Sequence, residues 1–166
     1  MIFEISKLNL KDDLFEKSLE ILTKWDGILT PESTAALIFE QFNIFFIKYS
    51  VADEISFDIY DEFDNSKVLL YNILLKLWAD KESILFDDIN TPEKVESIED
   101  IVEKAYQSTL DTLRNQLGKN IDKWEFGKIH TLTIEHPLSK VVILKKIFKL
   151  NRGPYAVGGS IHTVSP

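Results

Sequence analysis

Apolar residues recur at Leu14, Phe15, Leu19, Leu22 and Trp25, and this spacing predicts a helix over 12–26. Gly27 follows as its left-handed stop. Thr30, Pro31 and Glu32 then read as a cap, a first helical position and a dipole-matched acid. The helix they open should run to about Tyr49. It is apolar nearly all round, at Ala35, Leu37, Ile38, Phe39, Phe42, Phe45 and Phe46, which predicts the most buried element. The stretch "VADEISFDIYDEFDNS" alternates aromatics with acids and reads as a turn of helix or a loop. A third helix with a wide apolar face is predicted over 67–79, and "DKESILFDDIN" is a loop. Thr91, Pro92 and Glu93 repeat the cap signal. Beyond them Ile98, Ile101, Val102, Ala105, Tyr106, Leu110, Leu113 and Leu117 make the clearest helical stripe, ended by Gly118.

After Gly118 the period changes from about 3.6 to two. His130, Leu132, Ile134 and His136 alternate with Thr131, Thr133 and Glu135, which predicts a strand stopped by Pro137. "SKVVILKKIFKL" fits either element: its β-branched run favours strand, its lysine spacing helix. "NRGPYAVGGSIHTVSP" is turn-rich, with a short strand expected at 161–164. The pattern therefore predicts a mainly α chain with a β-rich C-terminal segment, an α+β class.

Charge divides the chain at the same place. Residues 1–118 hold 24 Asp/Glu against 11 Lys/Arg, a net −13, and residues 119–166 hold 3 against 8, a net +5. Two parts are expected: an acidic helical domain over 1–118 and a basic strand-and-turn segment over 119–166. An acidic body repels phosphate, and the lysines of the tail are scattered among apolar residues, so nucleic acid is not the expected partner. The 166 residues are enough for one domain with a core, and the 45% hydrophobic content excludes a disordered chain. With no cysteine there is neither a disulfide nor a thiolate metal site. The first residues show no signal peptide, and the longest apolar run, "FNIFFI", is far too short for a membrane span.

Candidate chemistry is thin. On an extended strand His130 and His136 stand roughly 20 Å apart, at ~3.3 Å per residue, and cannot share one ion. They read as structural histidines bonded to backbone. "RGPYAVGG" offers an Arg and glycine amides but neither a P-loop nor a dinucleotide fingerprint, and reads as a tight turn. The acid pairs Asp12-Asp13, Asp53-Glu54, Asp87-Asp88 and Glu99-Asp100 are sequence neighbours, which point apart on a helix and suit solvated faces. No serine lies in a G-x-S-x-G elbow.

Three blocks nevertheless form an ordered set. "LTKWDG" with "ESTAALIFEQF", then "WEFGKIHTLTIEHPL", then "NRGPYAVGGSIHTVSP" resemble the penicillin acylase (penicillin amidase) family, in the family's order. The residues that carry the likeness are Trp25, Asp26, Gly27, Trp124, Gly127, His130, His136, Pro137, Gly153, Pro154, Gly158, Gly159 and Thr163. Phe126 stands where the family tends to have Trp, and Ser160-Ile161 where it has an Asp-Gly pair.

The resemblance implies an N-terminal nucleophile hydrolase that cleaves a linear amide to a carboxylate and an amine, in settings that include antibiotic biosynthesis. It places the nucleophilic Ser, the oxyanion Asn and any calcium ligands in segments that precede these blocks. No catalytic or metal residue is therefore expected in this chain, and the marked residues are expected to be structural. The chain then reads as the helical excursion of a β-chain fragment, inert alone. Its partners would be the α-chain, the N-terminal part of the β-chain and the amide substrate. A soluble protein is expected, with a periplasmic or secreted location implied only by the resemblance; the unpaired strand edges are expected to pair with one another, pack on the helices or associate between chains. The competing readings are a stand-alone helical interaction module and a small enzyme complete in itself.

Overall fold

A computed structural model of the protein describes residues 1–55, 67–141, 143, 147–148 and 150–160, with side chains from 71 onward in the helix at 67–79. The expectations for 56–66 and for 161–164, Thr163 among them, lie outside the described residues. The helices of the described residues include α1 (Ile2–Ile5), α2 (Phe15–Thr23), α3 (Thr34–Val51), α4 (Lys67–Ala79) and α5 (Ile98–Leu117). Strands β1 (Thr131–Ile134) and β2 (Arg152–Ala156) pair antiparallel. Single 3₁₀ turns lie at Ile84–Phe86, Ile121–Lys123, Phe126–Lys128 and Pro137–Lys140. Among the described residues no helix is long and apolar enough to cross a membrane.

The core forms where α3 packs on α5, with α2 and α4 also packed against α3. Phe42 and Phe46 are fully buried and stack at 5.7 Å, and Phe46 stacks on Trp78 at 4.5 Å. From α5, Tyr106 approaches Phe42 at 6.1 Å and Phe15 edge-on at 5.8 Å. Its buried hydroxyl shares a 2.7 Å hydrogen bond with Ser18 of α2. Aromatic contacts of this geometry add about 1 kcal/mol each beyond the area they bury. The core continues past Gly118 to Ile121, Trp124 and Phe126, which are buried with it.

α4 and α5 begin and end as the apolar spacing predicts, and Gly118 closes α5 at φ +84°. Other boundaries differ, each for a local reason. α2 starts at Phe15 because the Asp12 carboxylate takes the Leu14 N–H and the Arg114 guanidinium, which holds the preceding residues in a turn. α2 stops at Thr23, short of Gly27. There the Asp26 carboxylate accepts from the Ile28 N–H and the Trp25 indole donates to the Ile28 carbonyl, so 25–28 close as a loop with Gly27 at φ +83°.

The cap of α3 is Ser33, whose Oγ accepts from Ala36 N–H, and not Thr30. The Thr30 carbonyl closes a turn onto Ser33 N–H instead. The cap of α5 is Ser97, in a reciprocal box with Asp100, and not Thr91. The Thr91 hydroxyl is used by the Asp88 carbonyl and the Glu96 carboxylate. A Thr-Pro-Glu triplet suits a turn as well as a helix start, and the nearby acceptors decide it.

The strand read over His130 to His136 shortens to Thr131–Ile134, and "RGPYA", expected as a turn, is its partner strand. Thr131 pairs with Ala156, Leu132 with Tyr155 and Ile134 with Arg152, with a bulge between Leu132 and Ile134. Gly153 sits at that irregularity with φ +101°. A Cβ there would stand 2.5 Å from the Leu132 carbonyl oxygen, so the glycine marks a bulge in a strand. Every residue of both strands is exposed. Beyond Pro137 a 3₁₀ turn forms, and Ile143, Ile147 and Phe148 are helical and solvent-facing.

Candidate functional site

The sequence blocks that stand apart in the chain meet at residues 29–31. This segment follows the Trp25-Asp26-Gly27 loop and precedes α3. The Pro31 carbonyl accepts the Gly127 N–H at 2.7 Å, and the Leu29 carbonyl accepts the Gly159 N–H at 2.8 Å. The link between the two halves of the first block thus holds the other two blocks by main-chain hydrogen bonds. Gly127 and Gly158 make the approach possible. A Cβ on Gly127 would lie 2.6 Å from Ala156 Cβ and 3.0 Å from Pro31 Cβ, and one on Gly158 would run into the Leu29 carbonyl oxygen.

Trp124 anchors the middle block. It is wholly buried, its indole N–H donates to the Gly118 carbonyl at 2.9 Å, and its own carbonyl accepts the Thr34 hydroxyl at the start of α3. Trp25 rests on Phe39 of α3 with ring centres 5.0 Å apart. His130 is exposed and stacks on Phe126 at 4.6 Å, with planes 9° apart. Its backbone carbonyl accepts the Val157 N–H at 3.2 Å and its N–H donates to Phe126, so the residue opens β1.

His136 closes the strand. Its Nδ1 accepts the Leu138 N–H at 3.1 Å, capping the turn that Pro137 begins, and its own N–H donates to Asn151 Oδ1. Gly153 and Pro154 lie in β2, away from residues 29–31, and Gly159 has φ +79°. The marked residues thus divide into a junction (Trp124, Gly127, Gly158 and Gly159, with the Trp25-Asp26-Gly27 loop leading in) and a hairpin framed by His130 and His136. Sequence reading does not single out Leu29, Thr34 or Ala156, though the last two lie within the quoted blocks. Pro31 is visible in it only as a helix start.

A surface cleft of about 520 Å³ lies beside the junction, lined by Lys24, Trp25, Asp26, Ser33, Thr34 and Asp122 among others. Its charges are already used: Lys24 pairs with Glu20 at 2.5 Å, Asp122 with Lys17 at 2.7 Å, and Asp26 accepts from Ile28. Among the described residues neither His130 nor His136 bonds a hydroxyl or a carboxylate, so the two histidines assemble no nucleophile–base pair there. Among the described residues no group of three or more His, Asp or Glu side chains is placed to hold a metal ion.

A profile of the penicillin amidase family matches residues 4–166. No curated protein and no solved structure matches the chain.

Proposed function

This chain belongs to the penicillin amidase family, and from that membership we propose that it works as the helical body and bracing hairpin of an amidohydrolase whose reacting groups lie outside residues 1–166. The observation that carries the reading is the family match, which spans nearly the whole sequence. The chemistry is hydrolysis of a linear amide. The Oγ of an N-terminal Ser adds to the amide carbonyl, and its α-amino group, with an ordinary pKa of about 7.7–8.0, takes the proton. The C–N bond breaks as the amine leaves with that proton. Water then opens the acyl ester, releasing the carboxylate and restoring the Ser. Preorganised N–H donors and an Asn side chain stabilise the oxyanion at each addition.

The role of this chain is architectural. A hairpin of two strands is marginal by itself, and in this one both strands face solvent with Leu132, Ile134 and Tyr155 about half exposed. Such a hairpin suits a place in a larger sheet, supplied by the α-chain and the N-terminal part of the β-chain, in a periplasmic or secreted enzyme. Calcium, where the enzyme binds it, belongs to those other parts.

The test is an assay of the 166-residue chain on chromogenic N-acyl amines. No turnover above the blank is expected. Turnover that is abolished by His130→Ala would overturn the reading and assign the chemistry to this chain.

A further inference from the structure

We infer that residues 29–31 form a backbone clamp that fixes the direction in which the hairpin leaves the helical body, with Gly127 and Gly158 as its positioning residues. A hairpin tied at one point can swing about it. This one is tied at both ends to the same short segment: Gly127, ahead of β1, donates to Pro31, and Gly159, after β2, donates to Leu29. The two bonds are two residues apart along the acceptor, so together they set an orientation as well as a position. A third tie, from the Thr34 hydroxyl to the Trp124 carbonyl, joins the first residue of α3 to the chain that leads into the hairpin. The Pro31 ring fixes φ, which stiffens the acceptor segment.

The clamp closes only without side chains at two places. At Gly127 a methyl would press on Ala156 Cβ and Pro31; at Gly158 it would press on the carbonyl of Leu29, a backbone atom that no rotamer change can move aside. Gly158→Ala is therefore the more disruptive change for the clamp. It should leave the core of α3 and α5 alone, because the atoms nearest a Cβ at Gly158 belong to Leu29 and Pro31, outside α3 and α5. The inference rests on the proposed function only for what the hairpin faces in the assembled enzyme; the clamp itself is read from geometry.

Hydrogen exchange on the 166-residue chain tests it without any need for turnover, so the two readings can fail separately. In the wild type the Gly127 and Gly159 amides are expected to be protected. In Gly158→Ala the amides of Gly127, Val157 and Gly159 should exchange at least about tenfold faster, with those of α5 within about twofold of wild type. Thr34→Val, which keeps the side-chain shape and removes the hydroxyl, should speed the same amides by a smaller factor, and it serves if Gly158→Ala does not fold. Three results overturn the clamp: Gly127 and Gly159 amides exchanging as free chain in the wild type, hairpin rates unchanged in both variants, or α5 loosening as much as the hairpin.

Discussion

Glu4 shows how one acidic residue with little exposure is held by two lysines. It is buried in α1, and its carboxylate receives the ammonium of Lys7 at 2.6 Å and that of Lys81. The hydrogen bonds from Lys7 and then Lys81 hold its pKa down to about 2. A carboxyl whose pKa is lowered by folding adds stability that is complete above its unfolded value, near ~4.3, and is lost as pH falls toward the folded one. Glu4→Gln should therefore be less stable than wild type at neutral pH, and the gap should close between about pH 4.5 and about pH 2. Urea midpoints of both proteins across that range measure it; a gap independent of pH would assign the loss to packing.

At the level of single elements, α5 and, in shortened form, β1 are legible in the sequence and β2 is not, for a physical reason. The residues that make α5 a helix are its own: apolar positions three and four apart, the Ser97–Asp100 box and Gly118. Nothing distant is needed to read them. Ser97→Ala removes one half of that box and should cost about 1 kcal/mol in urea unfolding. β2 depends on a remote partner. "RGPYA" carries a Gly and a Pro, which signal a turn locally, and it is a strand through its pairing with Thr131, Leu132 and Ile134 opposite. Thr30 misleads as a cap for a local reason: its carbonyl closes a turn onto Ser33 N–H, and Ser33 caps α3 instead. The hairpin also has a stability signature of its own. Leu132 and Ile134 are exposed, so a Leu132→Lys, Ile134→Lys double variant should unfold within about 0.5 kcal/mol of wild type. A larger loss would place these side chains against protein.

For the whole molecule, the sequence blocks that carry the family likeness come together at a joint and not around a nucleophile. Composition and spacing identify the blocks, but no periodicity can foretell that Leu29 and Pro31 hold Gly159 and Gly127. That juxtaposition belongs to the tertiary fold, and it is why the candidate site is only half readable in the sequence. It also separates two kinds of evidence. The family match speaks for amide hydrolysis at family level, and the geometry speaks for how the hairpin is seated on the helical body. Every residue of β1 and β2 is exposed, so among the described residues the hairpin is held at its base, by residues 29–31 and by the buried Trp124 and Phe126 that lead into it. It therefore acts as a lever. At ~3.3 Å per residue, the five residues of β2 extend roughly 16 Å from the fulcrum, and a tilt of about 10° there sweeps the tip through roughly 3 Å. An enzyme that used this lever to align its reacting groups would be tuned, or spoiled, by a methyl group placed far from them.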